Sequence, residues 1–181
     1  EIDVGSCFTF YALFGIANTP QNFIVQGDEE STNRRKSQFK MHILVAEDNA
    51  TNRLIAEQYL NLMGHSVRFA INGKEAVEKV KEGAFDLVLM DTRMPVMDGL
   101  EAIRMIRSLT SKLAEIPIIS LSANIGAEAQ KECFDAGVND FVAKPIDESR
   151  LFTVLESFGK KLAKYATTNN MQTEPLSENL N

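Results

Sequence analysis

The stretch from residue 41 to residue 165 alternates short apolar runs with longer amphipathic segments. Most of the runs are rich in branched aliphatic side chains, as expected of strands that are buried on both faces. The segments between them carry apolar residues three or four positions apart, which predicts helices. The predicted strands are Met41–Ala46, Ser66–Ala70, Asp86–Met90, Pro117–Leu121 and Asn139–Ala143. The predicted helices are Thr51–Met63, Lys74–Glu82, Asp98–Leu109, Ala127–Ala136 and Asp147–Tyr165.

A strand followed by a helix, repeated along this whole stretch, predicts an α/β fold with a parallel sheet and helices on both faces. The repeats share no close sequence similarity, which argues against a solenoid. Residues 15–40 are rich in Gln, Asn, Ser and Thr and lack periodicity, so we expect a linker there. We expect one folded domain at residues 41–165, followed by a flexible tail or second linker at residues 166–181.

Composition is typical of a folded protein and weighs against several classes of function. Of the 181 residues, 44% are hydrophobic and 24% are charged. The net charge of −6 disfavours nucleic-acid binding, and two cysteines are too few for a disulfide framework. The longest apolar stretch, Cys7–Ala17, is shorter than the ~18 residues of a membrane span. We expect a cytoplasmic piece of a longer protein that makes no membrane contact itself, although its parent can be membrane-anchored.

Chemically reactive side chains follow four of the five predicted strands, at the point where each strand ends. Glu47 and Asp48 follow the first strand, Asp91 the third, Ser122 the fourth and Lys144 the fifth. Because the carboxyl ends of parallel strands meet at one edge of a sheet, we expect these side chains to converge. Helix capping would explain any one of these polar residues, but it does not explain the whole group.

The three carboxylates of this group would repel one another. At a separation of ~4 Å and an effective dielectric constant of ~20, each pair costs about 4 kcal/mol, so either one carboxyl keeps its proton or a divalent cation lies among them. A site made only of oxygen ligands suits Mg²⁺. With Mg²⁺, the Lys144 ammonium and the Ser122 hydroxyl, the group can neutralise a transferring phosphoryl group. Asp91 can then act as the nucleophile and form an acyl phosphate.

Four stretches carry a resemblance to a known family: ILVAEDNATNRLIAEQYL, MDTRMPVMDG, ISLSAN and NDFVAKP. Through them, residues 41–160 resemble the receiver domain of two-component response regulators, in particular the receivers of hybrid sensor histidine kinases. The resemblance implies a flavodoxin-like fold with five helices and the strand order 2-1-3-4-5. It also implies that Asp91 is the phosphoacceptor and that Glu47, Asp48, Asp91 and the backbone carbonyl of Arg93 hold Mg²⁺.

The same resemblance implies roles for the other site residues. Ser122 and Lys144 would contact the phosphoryl oxygens, and Lys144-Pro145 would be a cis peptide. Phe141 stands at the switch position without the hydroxyl of a Tyr, and it would change rotamer as Ser122 moves inward. Phosphorylation would then alter the face made by the fourth helix, the fifth strand and the fifth helix. The Arg93 side chain is placed where it can tune the access of water to the acyl phosphate.

Residues 1–14 carry a second resemblance, through the segment GSCFTFYALF, to the closing strand of the ATP-binding domain of sensor histidine kinases. The alternative is an ordinary amphipathic strand. The nucleotide-binding residues of such a domain are absent from the sequence. The only two histidines are His42, at the start of the first predicted strand, and His65, at the entry to the second. We expect that this chain is not itself a kinase but part of a hybrid histidine kinase. Its expected partner is a kinase phosphodonor, a histidine phosphotransfer protein, or both.

Three other functions compete with the receiver prediction. An aspartyl-phosphate phosphatase or small-molecule phosphotransferase commonly has a second Asp two residues after the nucleophile, where this chain has Arg93. A flavodoxin-like cofactor binder would have a phosphate-binding loop after the first strand, where this chain has Glu47 and Asp48. A receiver-like interaction domain that works without phosphorylation would need none of the site residues, all of which are present.

Overall fold

The fold is a five-stranded parallel sheet, seen in a computed structural model that describes residues 36–171 apart from positions 84, 111, 124 and 125 and the side chains of residues 166–171. The strands lie in the order β2-β1-β3-β4-β5, and every neighbouring pair is parallel. The predicted fold class and strand order are therefore confirmed. The strands are β1 (His42–Ala46), β2 (Ser66–Ala70), β3 (Leu87–Asp91), β4 (Ile118–Ser122) and β5 (Asp140–Ala143).

A helix follows each strand. The helices are α1 (Ala50–Met63), α2 (Gly73–Glu82), α3 (Gly99–Arg107), α4 (Ala127–Ala136) and α5 (Glu148–Met171), with a short 3₁₀ helix at Lys112–Glu115. Helix α1 ends at Gly64, which has a φ of 92° that favours glycine, as its position in the sequence predicts. Strand and helix boundaries lie within one or two residues of the predicted ones, except at the end of α5.

The last helix is longer than the sequence pattern predicts. The apolar stripe weakens at Tyr165, and the tail was expected from residue 166, but α5 continues to Met171. No glycine or proline lies between these two residues, so the backbone contains no residue that would stop the helix. The first residues of the predicted tail are therefore helical.

The sheet separates two hydrophobic layers, because neighbouring residues of a strand point to opposite faces. In β1, Ile43 and Val45 belong to the layer beneath α1 and α5, whereas Leu44 and Ala46 belong to the layer beneath α2, α3 and α4. Every residue of β3 and β4 is buried. Each large aliphatic side chain buried in this way contributes about 1.5–3 kcal/mol to the free energy of folding. This burial holds the central strands in register. The register pairs Ala46 with Met90, so that the ends of β1 and β3 lie side by side.

A half-buried arginine ties the amino ends of β4 and β5 to α3. The Arg107 guanidinium donates to the backbone carbonyls of Gly137 at 2.9 Å, Ala114 at 2.7 Å and Ile116 at 2.8 Å, and to Asn139 Oδ1 at 2.8 Å. Burial lowers the pKa of Arg107 from its ordinary value. The four oxygen acceptors compensate for the water that the guanidinium loses on burial.

The residues just before β1 pack along α1 and α5. The Ser37 amide donates to the Met63 carbonyl at 2.9 Å, and the Ser37 hydroxyl donates to Glu156 Oε1 on α5 at 2.5 Å. Phe39 lies against Gly159 so closely that a Cβ at Gly159 would be 2.6 Å from the ring. The end of the predicted linker is therefore part of the folded domain. The polar composition of this segment did not predict these contacts, which are made by the hydroxyl of Ser37 and the ring of Phe39.

Several expectations concern other parts of the chain. The kinase-like strand predicted at residues 1–14, most of the linker predicted at residues 15–40 and the end of the tail lie outside the described residues. Within the part of the chain that the structure describes, no helix combines the length and the apolar character needed to cross a membrane.

Candidate functional site

Three carboxylates meet at the carboxyl end of the sheet, as the strand pattern predicts. Asp91 is the last residue of β3, and Glu47 and Asp48 directly follow β1. One carboxylate oxygen from each of these residues lies within 4.8 Å of the others. Glu47 is 1% exposed and Asp91 is 6% exposed, whereas Asp48 faces solvent. The site is therefore a pocket with buried walls and one open side.

Lys144, which follows β5, joins the carboxylates. Its ammonium group donates to Glu47 Oε2 at 2.5 Å and to Asp91 Oδ2 at 2.6 Å. Burial by itself would lower the pKa of Lys144, but the hydrogen bonds to Asp91 and Glu47 outweigh burial and raise the pKa above its ordinary value. The sequence suggested a proton or a divalent cation as the relief for the three negative charges. The structure shows that the lysine itself supplies a positive charge among them.

The first turn of α1 contacts Glu47 in a way that the sequence analysis missed. Asn52 donates its side-chain amide to Glu47 Oε1 at 2.8 Å. Arg53 donates to the backbone carbonyls of Glu47 at 3.0 Å and Asp48 at 2.7 Å. The sequence did contain a signal for these contacts, namely two polar residues about one helical turn after the acidic pair. Side chains at such positions project back toward the start of their helix.

The loop after Asp91 is held close to the end of β3. The Arg93 amide donates to Asp91 Oδ1 at 3.0 Å, and the Gly99 amide donates to the Thr92 carbonyl at 3.0 Å. A Cβ at Gly99 would lie 1.9 Å from the Asp91 carbonyl oxygen, so only glycine fits at the start of α3. Asp98 caps α3 by accepting from the Glu101 amide at 2.8 Å. The Arg93 side chain is exposed.

Ser122 lies on β4, which pairs with β3, and Phe141 lies on β5 at the edge of the sheet. Ser122 is the last residue of β4 and is 8% exposed, and its carbonyl accepts from the Lys144 amide at 2.9 Å. A cleft of about 270 Å³ opens beside Ser122 and the loop after Asp91. Phe141, on β5, is half-buried and makes an edge-on contact with Phe134 of α4, with ring centroids 5.9 Å apart.

A second cavity, of about 440 Å³, opens beside Lys144. Its walls come from α1 and from the turn after β5, where the Lys144-Pro145 peptide is cis as the resemblance implies. Apolar side chains form most of the walls. The lining residues are Asn52, Ile55, Tyr59, Lys144, Pro145 and Ile146.

The donor set of the site fits a metal ion. Glu47, Asp48 and Asp91 each offer a carboxylate oxygen, and the exposed Asp48 leaves a route for the ion to enter. Hard divalent cations prefer oxygen ligands. The acidic cluster can therefore hold a metal ion.

The two histidines lie at the opposite end of the sheet from Asp91. His42 begins β1, and His65 directly precedes β2. His65 is buried and accepts from the Met41 amide through Nδ1 at 3.4 Å. Burial lowers the pKa of His65, although the negative charge of Glu156 opposes this effect. Neither histidine lies on a helix.

The chain matches known proteins along the folded domain. Residues 43–156 match the family model of the response regulator receiver domain. Histidine kinase 5 of Arabidopsis thaliana is 33% identical over 156 residues, which cover 72% of this chain and 17% of that protein. Hybrid signal transduction histidine kinase B of Dictyostelium discoideum is 45% identical over 117 residues, which cover 59% of this chain and 6% of that protein. The chain therefore spans less than a fifth of the length of either relative.

Solved structures give the same result. The receiver domain of sensor histidine kinase PA1611 from Pseudomonas aeruginosa, solved with a magnesium ion in its active-site cleft, is 35% identical with a TM-score of 0.62, over 67% of this chain and 98% of that one. A second match is to a structure from Saccharomyces cerevisiae that contains the receiver domain of Ssk1 and the histidine phosphotransfer protein Ypd1. The match is 29% identical with a TM-score of 0.64, over 69% of this chain and 92% of that one.

Proposed function

The chain belongs to the response regulator receiver domain family, and on this premise we propose that it is the phosphoacceptor module of a two-component phosphorelay. The observation that carries the proposal is the contact of Asp91 with Lys144 at 2.6 Å, beside two further carboxylates. Asp91 is the acceptor because it is the carboxylate at the centre of the site, between β1 and the strand that ends at Ser122.

The proposed reaction is the transfer of a phosphoryl group from a phosphohistidine to Asp91. A carboxylate oxygen of Asp91 attacks phosphorus; the new P–O bond forms as the P–N bond breaks, and the imidazole nitrogen keeps the electron pair. Lys144 then pairs with a phosphoryl oxygen in place of its contact with Asp91. A Mg²⁺ ion held by Glu47, Asp48, Asp91 and the carbonyl of Arg93 would supply positive charge to the same oxygens.

The signal would leave the site through Ser122 and Phe141. The Ser122 hydroxyl lies at the end of β4, where it can move toward a phosphoryl oxygen on Asp91. That movement opens space for the half-buried Phe141 ring, which now rests against Phe134 of α4. The face made by α4, β5 and α5 would change as the ring turns inward.

The relatives support a proposal about the protein from which the chain derives. Both histidine kinases named above are much longer than this chain, and a receiver related to this one has been solved with a histidine phosphotransfer protein. We propose that residues 41–165 are the receiver of a hybrid sensor histidine kinase. Its partners would then be a kinase phosphodonor and a histidine phosphotransfer protein.

Phosphorylation by acetyl phosphate tests the function directly. We expect the chain, incubated with acetyl phosphate and Mg²⁺, to gain one phosphoryl group by intact mass spectrometry, and Asp91→Asn to gain none. Asp135→Asn is a matched control, because Asp135 is an exposed carboxylate on α4. The absence of any gain in the wild-type chain, or an equal gain in Asp91→Asn, would contradict the proposal.

A further inference from the structure

The first turn of α1 contains a side chain that turns away from its own helix toward the site. Asn49 caps the helix in the ordinary way, since its Oδ1 accepts from the amides of Thr51 at 2.9 Å and Asn52 at 3.3 Å. Asn52 instead donates its side-chain amide to Glu47 Oε1 at 2.8 Å. We propose that Asn52 is a positioning residue, which holds Oε1 of Glu47 so that Oε2 meets Lys144 and keeps the ammonium group beside Asp91.

The burial of Glu47 makes this contact important. Glu47 is 1% exposed, so its carboxylate depends on donors from the protein. Lys144 takes Oε2 at 2.5 Å, and Oε1 has the Asn52 amide at 2.8 Å and a longer contact with the Asn49 amide at 3.4 Å. Without Asn52, Oε1 keeps only the weak backbone contact. The carboxylate then rotates to find a better donor, and Oε2 leaves its alignment with Lys144.

Arg53 fixes the backbone beneath the same residue. It donates to the carbonyls of Glu47 at 3.0 Å and Asp48 at 2.7 Å. A positive side chain in the first turn of a helix is unfavourable by itself, because the helix dipole is positive there. Contact with two carbonyls offsets that disadvantage. The backbone of Glu47 is thus held by Arg53 and its carboxylate by Asn52, so the two residues act on different parts of Glu47.

An effect of Asn52 on phosphoryl transfer rests on the proposed function, because in that function Lys144 pairs with the phosphoryl oxygens. The positioning itself does not rest on it, since every contact is present without a phosphoryl group. The two claims can therefore be tested separately.

Chemical labelling of lysines tests the positioning without metal or phosphodonor. The chain is treated with the N-hydroxysuccinimide ester of acetic acid in the presence of a chelator, and acetylation is measured for each lysine by peptide mass spectrometry. We expect Asn52→Ala to raise the labelling rate of Lys144 at least about threefold relative to exposed Lys131. Asn61→Ala is the matched control, because Asn61 is exposed on the same helix. An unchanged Lys144 rate in Asn52→Ala would overturn the proposal.

A double-mutant cycle tests whether Asn52 acts through Glu47. In calorimetric titrations with Mg²⁺ alone, we expect Asn52→Ala to weaken binding several-fold in the wild-type background and to have no further effect in Glu47→Ala. An equal loss in both backgrounds would contradict action through Glu47. Circular dichroism checks that each variant is folded, and Asn52→Ser replaces the alanine variant if that one is not. Failure of the wild-type chain to accept a phosphoryl group would contradict the proposed function and leave the labelling result standing.

Discussion

The two ends of the sheet accommodate buried charge in opposite ways. At the carboxyl end, three carboxylates lie together, two of them paired with the ammonium group of Lys144, and negative charge remains in excess. At the amino end, the guanidinium of Arg107 is surrounded by carbonyl and amide oxygens. His65, also at the amino end, is buried with a lowered pKa, so that burial favours its neutral form.

The difference separates a reactive region from a structural one. Uncompensated like charge destabilises a fold, and proteins retain it where the charge takes part in binding or catalysis. At the amino end, the charged Arg107 guanidinium instead meets four neutral oxygen acceptors, and the buried Nε2 of His65 has no hydrogen-bond partner within the described residues. We therefore expect substitutions at the carboxyl end to change chemistry, and substitutions at the amino end to change stability alone.

The largest effect is expected from Lys144→Met. The substitution removes the positive charge that would stabilise the phosphoryl oxygens, so the rate of phosphorylation by acetyl phosphate should fall about 100-fold or more. It also leaves Glu47 and Asp91 buried without a counter-charge, and we expect a loss of about 3 kcal/mol in the free energy of unfolding when no divalent cation is present. Intact mass spectrometry and urea denaturation measure the two quantities.

Lys131→Met is the matched control for this substitution, because Lys131 is exposed on α4. It should leave both the rate and the stability unchanged. Equal phosphorylation rates for the two variants would remove Lys144 from the proposed mechanism.

At the amino end, Arg107→Ala should change stability only. Three carbonyls and one amide oxygen lose their donor, and we expect the free energy of unfolding to fall by about 2–4 kcal/mol. The phosphorylation rate of the folded fraction should stay at the wild-type value. Arg104→Ala is the control: Arg104 is exposed and 3.7 Å from Glu132, and its loss should cost less than about 1 kcal/mol. A loss of phosphorylation in folded Arg107→Ala would end the distinction between the two regions.

A smaller effect of the same kind is expected at Gly159. Helix propensity alone predicts that Gly159→Ala stabilises α5 by about 1 kcal/mol. The ring of Phe39 would lie 2.6 Å from the new Cβ, so we expect a net loss of about 1 kcal/mol instead. In the Phe39→Ala background the same substitution should become stabilising. Urea denaturation of the four proteins measures both values, and stabilisation in the wild-type background would show that Phe39 does not pack there.

The smallest effect concerns the pH dependence of stability. Burial lowers the pKa of His65 below its ordinary value of 6.5, although Glu156 opposes the shift. The unfolded chain therefore takes up a proton near pH 6.5, whereas the folded chain does so only at lower pH, and stability falls as the pH drops below 6.5. His65→Gln should flatten the dependence of the urea midpoint between pH 7.5 and about 5.5, with His42→Gln as the matched control. An identical slope in His65→Gln and wild type would contradict this role of burial.

Strand periodicity explains why the acidic site could be predicted. Each buried run in the sequence has an abrupt polar end, and parallel strands bring such ends to one edge. The positions of Asp91, Glu47 and Lys144 at that edge follow from this rule alone. The residues that orient them do not, because the contact of Asn52 with Glu47 depends on side-chain rotamers that no periodicity encodes.

The contacts at the amino end were harder to predict for a related reason. Arg107 is charged and lies in an amphipathic helix, so its sequence context indicates a solvated residue, yet its head group reaches carbonyls beyond the end of α3. Phe39 lies in a polar stretch, and its ring packs where Gly159 has no side chain. The contacts of Arg107 with Gly137 and Asn139, and of Phe39 with Gly159, join segments far apart in the sequence, and local pattern carries no record of them.

Reductive trapping tests the central claim most directly, because it identifies the acceptor residue. Sodium borohydride reduces an aspartyl phosphate to homoserine, which peptide mass spectrometry locates in the chain. After phosphorylation with acetyl phosphate and Mg²⁺, we predict homoserine at position 91, with Asp48, Asp98 and Asp135 unmodified. Homoserine at another aspartate, or none at position 91 in a chain that has gained a phosphoryl group, would contradict the assignment of Asp91 as the acceptor.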